Sequence, residues 1–154
     1  MQTRQAEALA KVLCDILQKL AFVFPEPADK QRGLPPFRGA CVLAQIRFGG
    51  AQRGELALVA PVVLCHTLAA NILGVEPSHE RAQGLWDDAL KELVDNVCAH
   101  LLTTLAGTEP VFELGVPSTQ QLNLAELEAF LSDPQSAGFC VEDQPLLARF
   151  IMDA

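Results

Sequence analysis

Half of the chain's 154 residues are hydrophobic and its formal net charge is −8. That length suits one domain with a sizeable core, and the acidic balance, with no run of Lys and Arg interleaved with aromatics, removes the usual basis for gripping a phosphate backbone. Apolar runs are interrupted every few residues and none reaches the roughly 18 that a membrane span requires, so a soluble protein is expected, with no membrane insertion and no nucleic-acid partner.

From about Arg4 to Leu20, apolar residues recur at helical spacing (Ala6, Leu9, Ala10, Leu13, Ile16, Leu17, Leu20), which predicts a one-sided helix that must dock on something. Arg4, Glu7, Lys11 and Asp15 break the stretch where a signal peptide needs an apolar core, so the expected compartment is the cytoplasm. "AFVFPEP" reads as a short strand stopped by Pro25 and Pro27, and "ADKQRGLPPFRG" as a connecting loop.

From Cys41 the period changes to two. Val42, Ala44, Ile46 and Phe48 point one way, and Leu43, Gln45 and Arg47 the other. "GGAQRG" turns this strand into "ELALVA", where Leu56, Leu58 and Ala60 continue the alternation. Pro61 ends that strand at the start of a helix that Gly74 stops.

A long helix from about Arg81 to Ala106 follows, closed by Gly107. "VFELGVPS" reads as one further strand, and "NLAELEAFLS" as a short helix with Asn123 and Glu126 at capping-box spacing. "FCVEDQPLLARFIMD" closes the chain as two extended stretches, with Pro145 at an edge or a bulge. Strand runs and hairpins alternating with helices indicate an α+β domain: a mixed or antiparallel sheet with long amphipathic helices packed on it.

On a helical wheel for the long helix, Leu93, Val94, Val97, Leu101 and Trp86 fall within roughly 60° of Leu90 and form the buried stripe. Asp88, Glu92, Asp95 and Asn96 lie roughly 140–240° away and face outward. Ala99 and Thr103 extend that outer face with small side chains, which suits a helix approached closely by a partner.

The five cysteines (Cys14, Cys41, Cys65, Cys98, Cys140) form no C-x-x-C pair and read as small buried hydrophobes. His66 and His100 read as surface or boundary residues, and no phosphate-binding glycine loop, hydrolase serine motif or metal-ligand spacing occurs.

Several of these stretches together resemble one family. The hairpin "IRFGGAQRGELALVAP", the helix "LCHTLAANILG", the long helix with "DALKELVDNV" and the strand "FELGVPS" are similar, in order and character, to the CheX/CheC family of chemotaxis phosphatases, chiefly its CheX branch. The resemblance implies a CheC-like fold, with residues 1–154 as a single CheX-like domain that homodimerises. It also implies an activity, hydrolysis of the aspartyl phosphate on a phosphorylated CheY-like receiver domain. The receiver would supply the phosphate, its Mg²⁺ and a lysine, so no cofactor or metal site is expected on this chain.

The family's signature on the long helix is D/S-x-x-x-E-x-x-N. Asp88 and Glu92 fill the first two positions, the third is Asp95, and the amide stands one residue later at Asn96. By resemblance Glu92 would pair with the receiver's lysine, an amide would hold water in line with phosphorus, and Asp88 and Glu92 would meet the partner, with Ala99 of the small-residue stripe beside them. An ionised Asp95 only accepts hydrogen bonds and carries the phosphoryl group's own sign. Asn96, four residues from Glu92, shares its face, and an acid and amide at that spacing resemble the unrelated helical phosphatase CheZ. Two readings stay open: a phosphatase using Asn96 or Asp95, and a non-catalytic interaction module of the same fold.

Overall fold

The computed structural model describes residues 3–153, and among them are four helices and seven strands. Helix α1 spans Thr3–Ala21, α2 Val62–Leu73, α3 Glu80–Ala106 and α4 Leu124–Ser132. The strands are β1 (Glu26–Ala28), β2 (Cys41–Gly50), β3 (Gly54–Pro61), β4 (Phe112–Leu114), β5 (Ser118–Leu122), β6 (Ser136–Val141) and β7 (Gln144–Met152). They form one sheet in the order β1-β6-β7-β3-β2-β4, with β5 also on β2, and every pairing is antiparallel. The α+β class expected from the sequence is the one observed, and the sheet is antiparallel throughout.

Alternation along the central strands divides the interior in two. Val42, Ala44, Ile46 and Phe48 of β2, with Leu56, Leu58 and Ala60 of β3, join the apolar faces of α1, α2 and α3 in the main core. Cys41, Leu43, Ala57, Val59 and Leu147 point to the opposite face, where Leu122 of β5, Leu127 of α4 and the half-buried Leu34 and Phe37 cover them. The period-two residues predicted from Cys41 onward thus face opposite ways, and both faces are covered near this end of the hairpin.

Helix α3 packs against α1 and α2 and onto β2 and β3. Arg4 near the start of α1 donates to the Leu105 carbonyl near the end of α3, at 2.9 Å. Asn71 near the end of α2 donates to the Ala21 carbonyl at the end of α1, at 2.8 Å. Both ties satisfy carbonyls that a helix terminus leaves without intrahelical partners.

Three local readings differ from the structure. The expected strand "AFVFPEP" is a ladder only at Glu26–Ala28, because Phe22 adopts a left-handed backbone (φ 56°) that ends α1. The Val23 amide donates back to Leu17 at 3.4 Å and the Val23 side chain is fully buried, so the apolar character of this stretch seals a helix C-terminus.

"VFELGVPS" is two strands. β4 pairs with Phe48–Gly50 and β5 with Cys41–Gln45, so residues 115–117 oppose only residues 46 and 47, and the Gly115 amide donates to the Arg47 carbonyl at 2.7 Å. The extra residue makes a bulge, and Pro117, without an N–H, sits within it.

Pro61 serves as both last residue of β3 and N-cap of α2, one position earlier than a first-turn proline. Pro145 lies in β7 beyond its last pairing with β3, at Leu147, so only β6 flanks it there. That is the edge-like position its missing donor requires.

The capping box on α4 is present as read: the Asn123 carboxamide accepts from the Glu126 amide at 2.8 Å, and the Glu126 carboxylate accepts from the Asn123 amide at 3.0 Å. Arg149 of β7 fastens the same region, donating to Glu55 at 2.8 Å and Asp133 at 3.1 Å while its guanidinium lies 4.4 Å from the Phe130 ring centre.

Candidate functional site

The side chains that define the outer face of α3 are placed by what the inner face buries. Ala89, Leu90, Leu93, Val94, Val97, Cys98, Leu101 and Leu102 are all buried, as their spacing requires. Trp86 is half-buried against the same core, its ring 6.1 Å from that of His66 on α2. With the helix rotation set, Asp88 and Glu92 are exposed, Asp95 and Asn96 are half-buried, and Ala99 and Thr103 are exposed beyond them.

One contact on the flank of α3 joins the helix to the sheet. The Asp87 carboxylate, on the flank of α3, accepts a hydrogen bond from the Thr119 hydroxyl of β5 and pairs with Lys91 at 3.1 Å. The Thr119 hydrogen bond first, and Lys91 with it, hold the Asp87 carboxyl below its ordinary range despite partial burial. The spacing of Asp87 and Lys91 was visible as an i,i+4 pair. Thr119 has no such local signal, because β5 is set by its pairing with the distant β2.

The three acids of the predicted site differ from Asp87. None of Asp88, Glu92 and Asp95 forms an ion pair among the described residues. Asn96 has an intramolecular partner: its Nδ2 donates to the Glu92 backbone carbonyl one turn back, at 2.8 Å. A carboxamide has two N–H donors and an acceptor oxygen, so this bond uses one donor and leaves the other N–H and Oδ1 for a ligand. The structure therefore brings Glu92, Asp95 and Asn96 onto one open helix surface, with the amide laid back against the helix.

Asp95 also acts inward. Burial, and then the charge of Asp95 three residues away, push the Cys98 thiol up to about 12. Burial likewise takes Cys65 up to about 12 and raises Cys41. All five cysteines are free, but Cys14 and Cys140 are only half-buried, which corrects the reading of all five as core residues. His66 is half-buried and His100 exposed. Asn71 is engaged in the tie between α2 and α1 and forms no part of the site.

Among the described residues no three His, Cys, Asp or Glu side chains gather as metal ligands. None of the described helices is long and apolar enough to cross a membrane.

An antiparallel sheet carrying three helices on one face, with an acidic surface on the central helix, defines the class: this is the CheX/CheC fold. Three solved structures show it. The chemotaxis protein CheX from Vibrio vulnificus is 17% identical, with a TM-score of 0.71 over 98% of this chain and 97% of that one. A CheC-like superfamily protein from Shewanella sp. PV-4 is 14% identical, with a TM-score of 0.70 over 100% of both chains. In the CheX–CheY–BeF3–Mg²⁺ complex from Borrelia burgdorferi, the matching chain is 14% identical, with a TM-score of 0.65 over 97% of this chain and 98% of that one. No family model and no curated protein matches the sequence. The CheC-like fold expected from the resemblance is the fold observed.

Proposed function

We propose that this chain is a CheX-type protein that binds a phosphorylated CheY-like receiver domain through the outer face of α3 and accelerates hydrolysis of its aspartyl phosphate. The observation that carries this reading is Glu92: an exposed carboxylate without an ion pair among the described residues, on the central helix of a CheX/CheC fold, with an amide one turn further on. The solved CheX–CheY complex supports the choice of partner class.

Under this reading the phosphoryl group and Mg²⁺ belong to the receiver, and this chain contributes positioning. Glu92 pairs with a receiver cation and sets the docking register. Asn96, with one N–H held by the Glu92 carbonyl, offers its remaining N–H and Oδ1 to a water. Holding water in line with a phosphorus is an orientational contribution that needs no covalent step on the phosphatase.

A second reading is favoured by two observations. Asp95 stands where the family has its amide, and Asn96 is turned back onto its own helix. Both suit a module that binds the receiver and leaves its phosphorylation lifetime unchanged. Phosphate release from phosphorylated receivers of the same genome, with and without this protein, separates the two. Acceleration that Glu92→Ala abolishes supports the phosphatase, and binding without acceleration supports the module.

A further inference from the structure

Residues 74–79, which join α2 to α3, are pinned by two imidazole rings, and in both rings the bonded nitrogen accepts. His79 is the N-cap of α3, and its Nδ1 accepts from the Arg81 amide at 3.1 Å. A backbone N–H only donates, so this ring holds no proton on Nδ1. His66 of α2 meets Gln83 of α3, its Nδ1 lying 3.2 Å from the Gln83 Nε2. The same Nε2 donates to the Pro77 carbonyl at 2.9 Å. That carbonyl fixes which way the carboxamide is turned, and the second N–H is left for His66, which therefore also accepts through a bare Nδ1.

We propose that the two rings form an acid-sensitive catch on the start of α3: proton uptake by His66 and His79 frees residues 74–79 and the first turn of α3 while the rest of the fold stays intact, whether or not α3 binds a receiver. Histidine is the side chain whose charge changes between about pH 5 and 8. An imidazolium carries N–H on both nitrogens and accepts nothing, so Arg81 loses its cap and Gln83 its tie to α2. A protonated His79 also sets positive charge against the positive end of the α3 dipole. Residues 76–81 are all exposed, so no buried contact of theirs replaces the two bonds, and release stays local.

The charges around the rings favour the uptake. Glu76 lies in the connection, where its carbonyl accepts from the His79 amide at 2.9 Å, and Glu80 follows His79 directly, against the single cation Arg81. Toward His66, α3 presents the Trp86 ring, 6.1 Å between centroids, and Asp87, whose charge reaches the adjacent Cys65 although Lys91 and Thr119 engage it. Helix α2 itself carries no carboxylate, Lys or Arg. Helix α1 is tied to α2 at its other end, through Asn71, and the β3 side chains on the helix side of the sheet, Leu56, Leu58 and Ala60, are apolar. The carboxylates draw a proton to each ring, and the proton then removes the bond that the ring accepts.

The test is NMR-detected amide exchange on the full chain at pH 7.5 and 5.5, corrected for the intrinsic pH dependence of exchange. Protection of the Arg81 amide should fall at least about fivefold on acidification, the scale of one N-cap, while the Leu93 and Val97 amides of mid-helix keep theirs. Asparagine caps a helix without titrating, so His79→Asn should hold Arg81 protection at pH 5.5. His66→Phe should show, already at pH 7.5, the Gln83 side-chain amide signal that the parent shows only in acid. His100→Asn, on the exposed face of α3, should respond as the parent does. Arg81 protection in the parent that is independent of pH overturns the proposal, and so does acid loss in His79→Asn equal to the parent's. A Gln83 signal in His66→Phe that matches the parent's at pH 7.5 overturns the part assigned to His66.

Discussion

Replacing Asp95 by asparagine is the most informative single change on the α3 face. The substitution is nearly isosteric, and Asp95 forms no ion pair among the described residues, so the fold should tolerate it. Asp95 is three residues from Glu92, about 4.5 Å along the helix. A receiver phosphoryl group docked on this face is taken to stand on the order of 7 Å from the Asp95 carboxylate, within range of a partly screened Coulomb interaction. At that separation and an effective dielectric of about 40, one unit of like charge costs about 1.2 kcal/mol. Removing it corresponds to roughly eightfold in rate, and the variant also gains an amide at the position where the family carries one.

Asp95→Asn should therefore raise phosphate release from a phosphorylated receiver roughly eightfold in a stopped-flow or coupled phosphate assay at low salt. The advantage should shrink as ionic strength rises, because exposed charges are screened within about 10 Å at 0.1 M salt. A variant that binds the receiver normally and releases phosphate no faster than the parent, or more slowly, would refute the electrostatic reasoning and make Asp95 itself a participant.

Other consequences follow from particular contacts. Phe22 holds a left-handed backbone at φ 56° and the residue is 69% exposed, so Phe22→Gly should stabilise the protein by about 1 kcal/mol in chemical denaturation; a loss of stability would mean the ring is needed where it lies. Asp87 and Asp133 both titrate below their ordinary range, Asp87 chiefly through the Thr119 hydroxyl and Asp133 through the Gln135 amide and Arg149 against the opposing effect of burial. A carboxyl lowered in the folded state binds fewer protons there than when unfolded, so the stability it contributes is present above about pH 4 and is lost as pH falls through the folded value. Thr119→Val should accordingly be less stable than the parent at pH 7, with the gap closing toward pH 2; a gap independent of pH would contradict the assignment. Asn96→Ala removes an exposed-face amide and no core contact, so its thermal midpoint should stay close to the parent's while phosphate release falls, and an unchanged rate would exclude Asn96 as the group that holds water.

The parts of the fold legible in the sequence are those set by local periodicity and local hydrogen bonding. The buried stripe of α3, the alternation from Val42 to Ala60 and the Asn123–Glu126 capping box each depend on residues within a few positions of one another. What escaped depends on distant partners. The bulge dividing β4 from β5 exists because both pair with β2 in registers one residue apart, and nothing within "VFELGVPS" states that register. The stretch "AFVFPEP" carries strand-like composition because Val23 is buried under the end of α1, and the backbone at Phe22 prevents a continuous ladder.

The candidate site divides in the same way. Its outward orientation follows from the wheel, since burying Leu90, Leu93, Val94 and Val97 leaves Asp88 and Glu92 no other direction. The pairing of Asp87 with Thr119 needed the sheet. The bond from Asn96 to the Glu92 carbonyl is local, yet it is a choice of side-chain rotamer that spacing does not report.

The central claim is that the Glu92 face of α3 binds a phosphorylated receiver and speeds its dephosphorylation. Its most direct measurement is the decay rate of phosphorylated CheY-like receivers from the same genome, with the parent protein and with Glu92→Ala, at protein concentrations spanning the binding curve. The account predicts decay that accelerates with parent protein and saturates, and no acceleration from Glu92→Ala. Decay that neither protein alters for any receiver would contradict it.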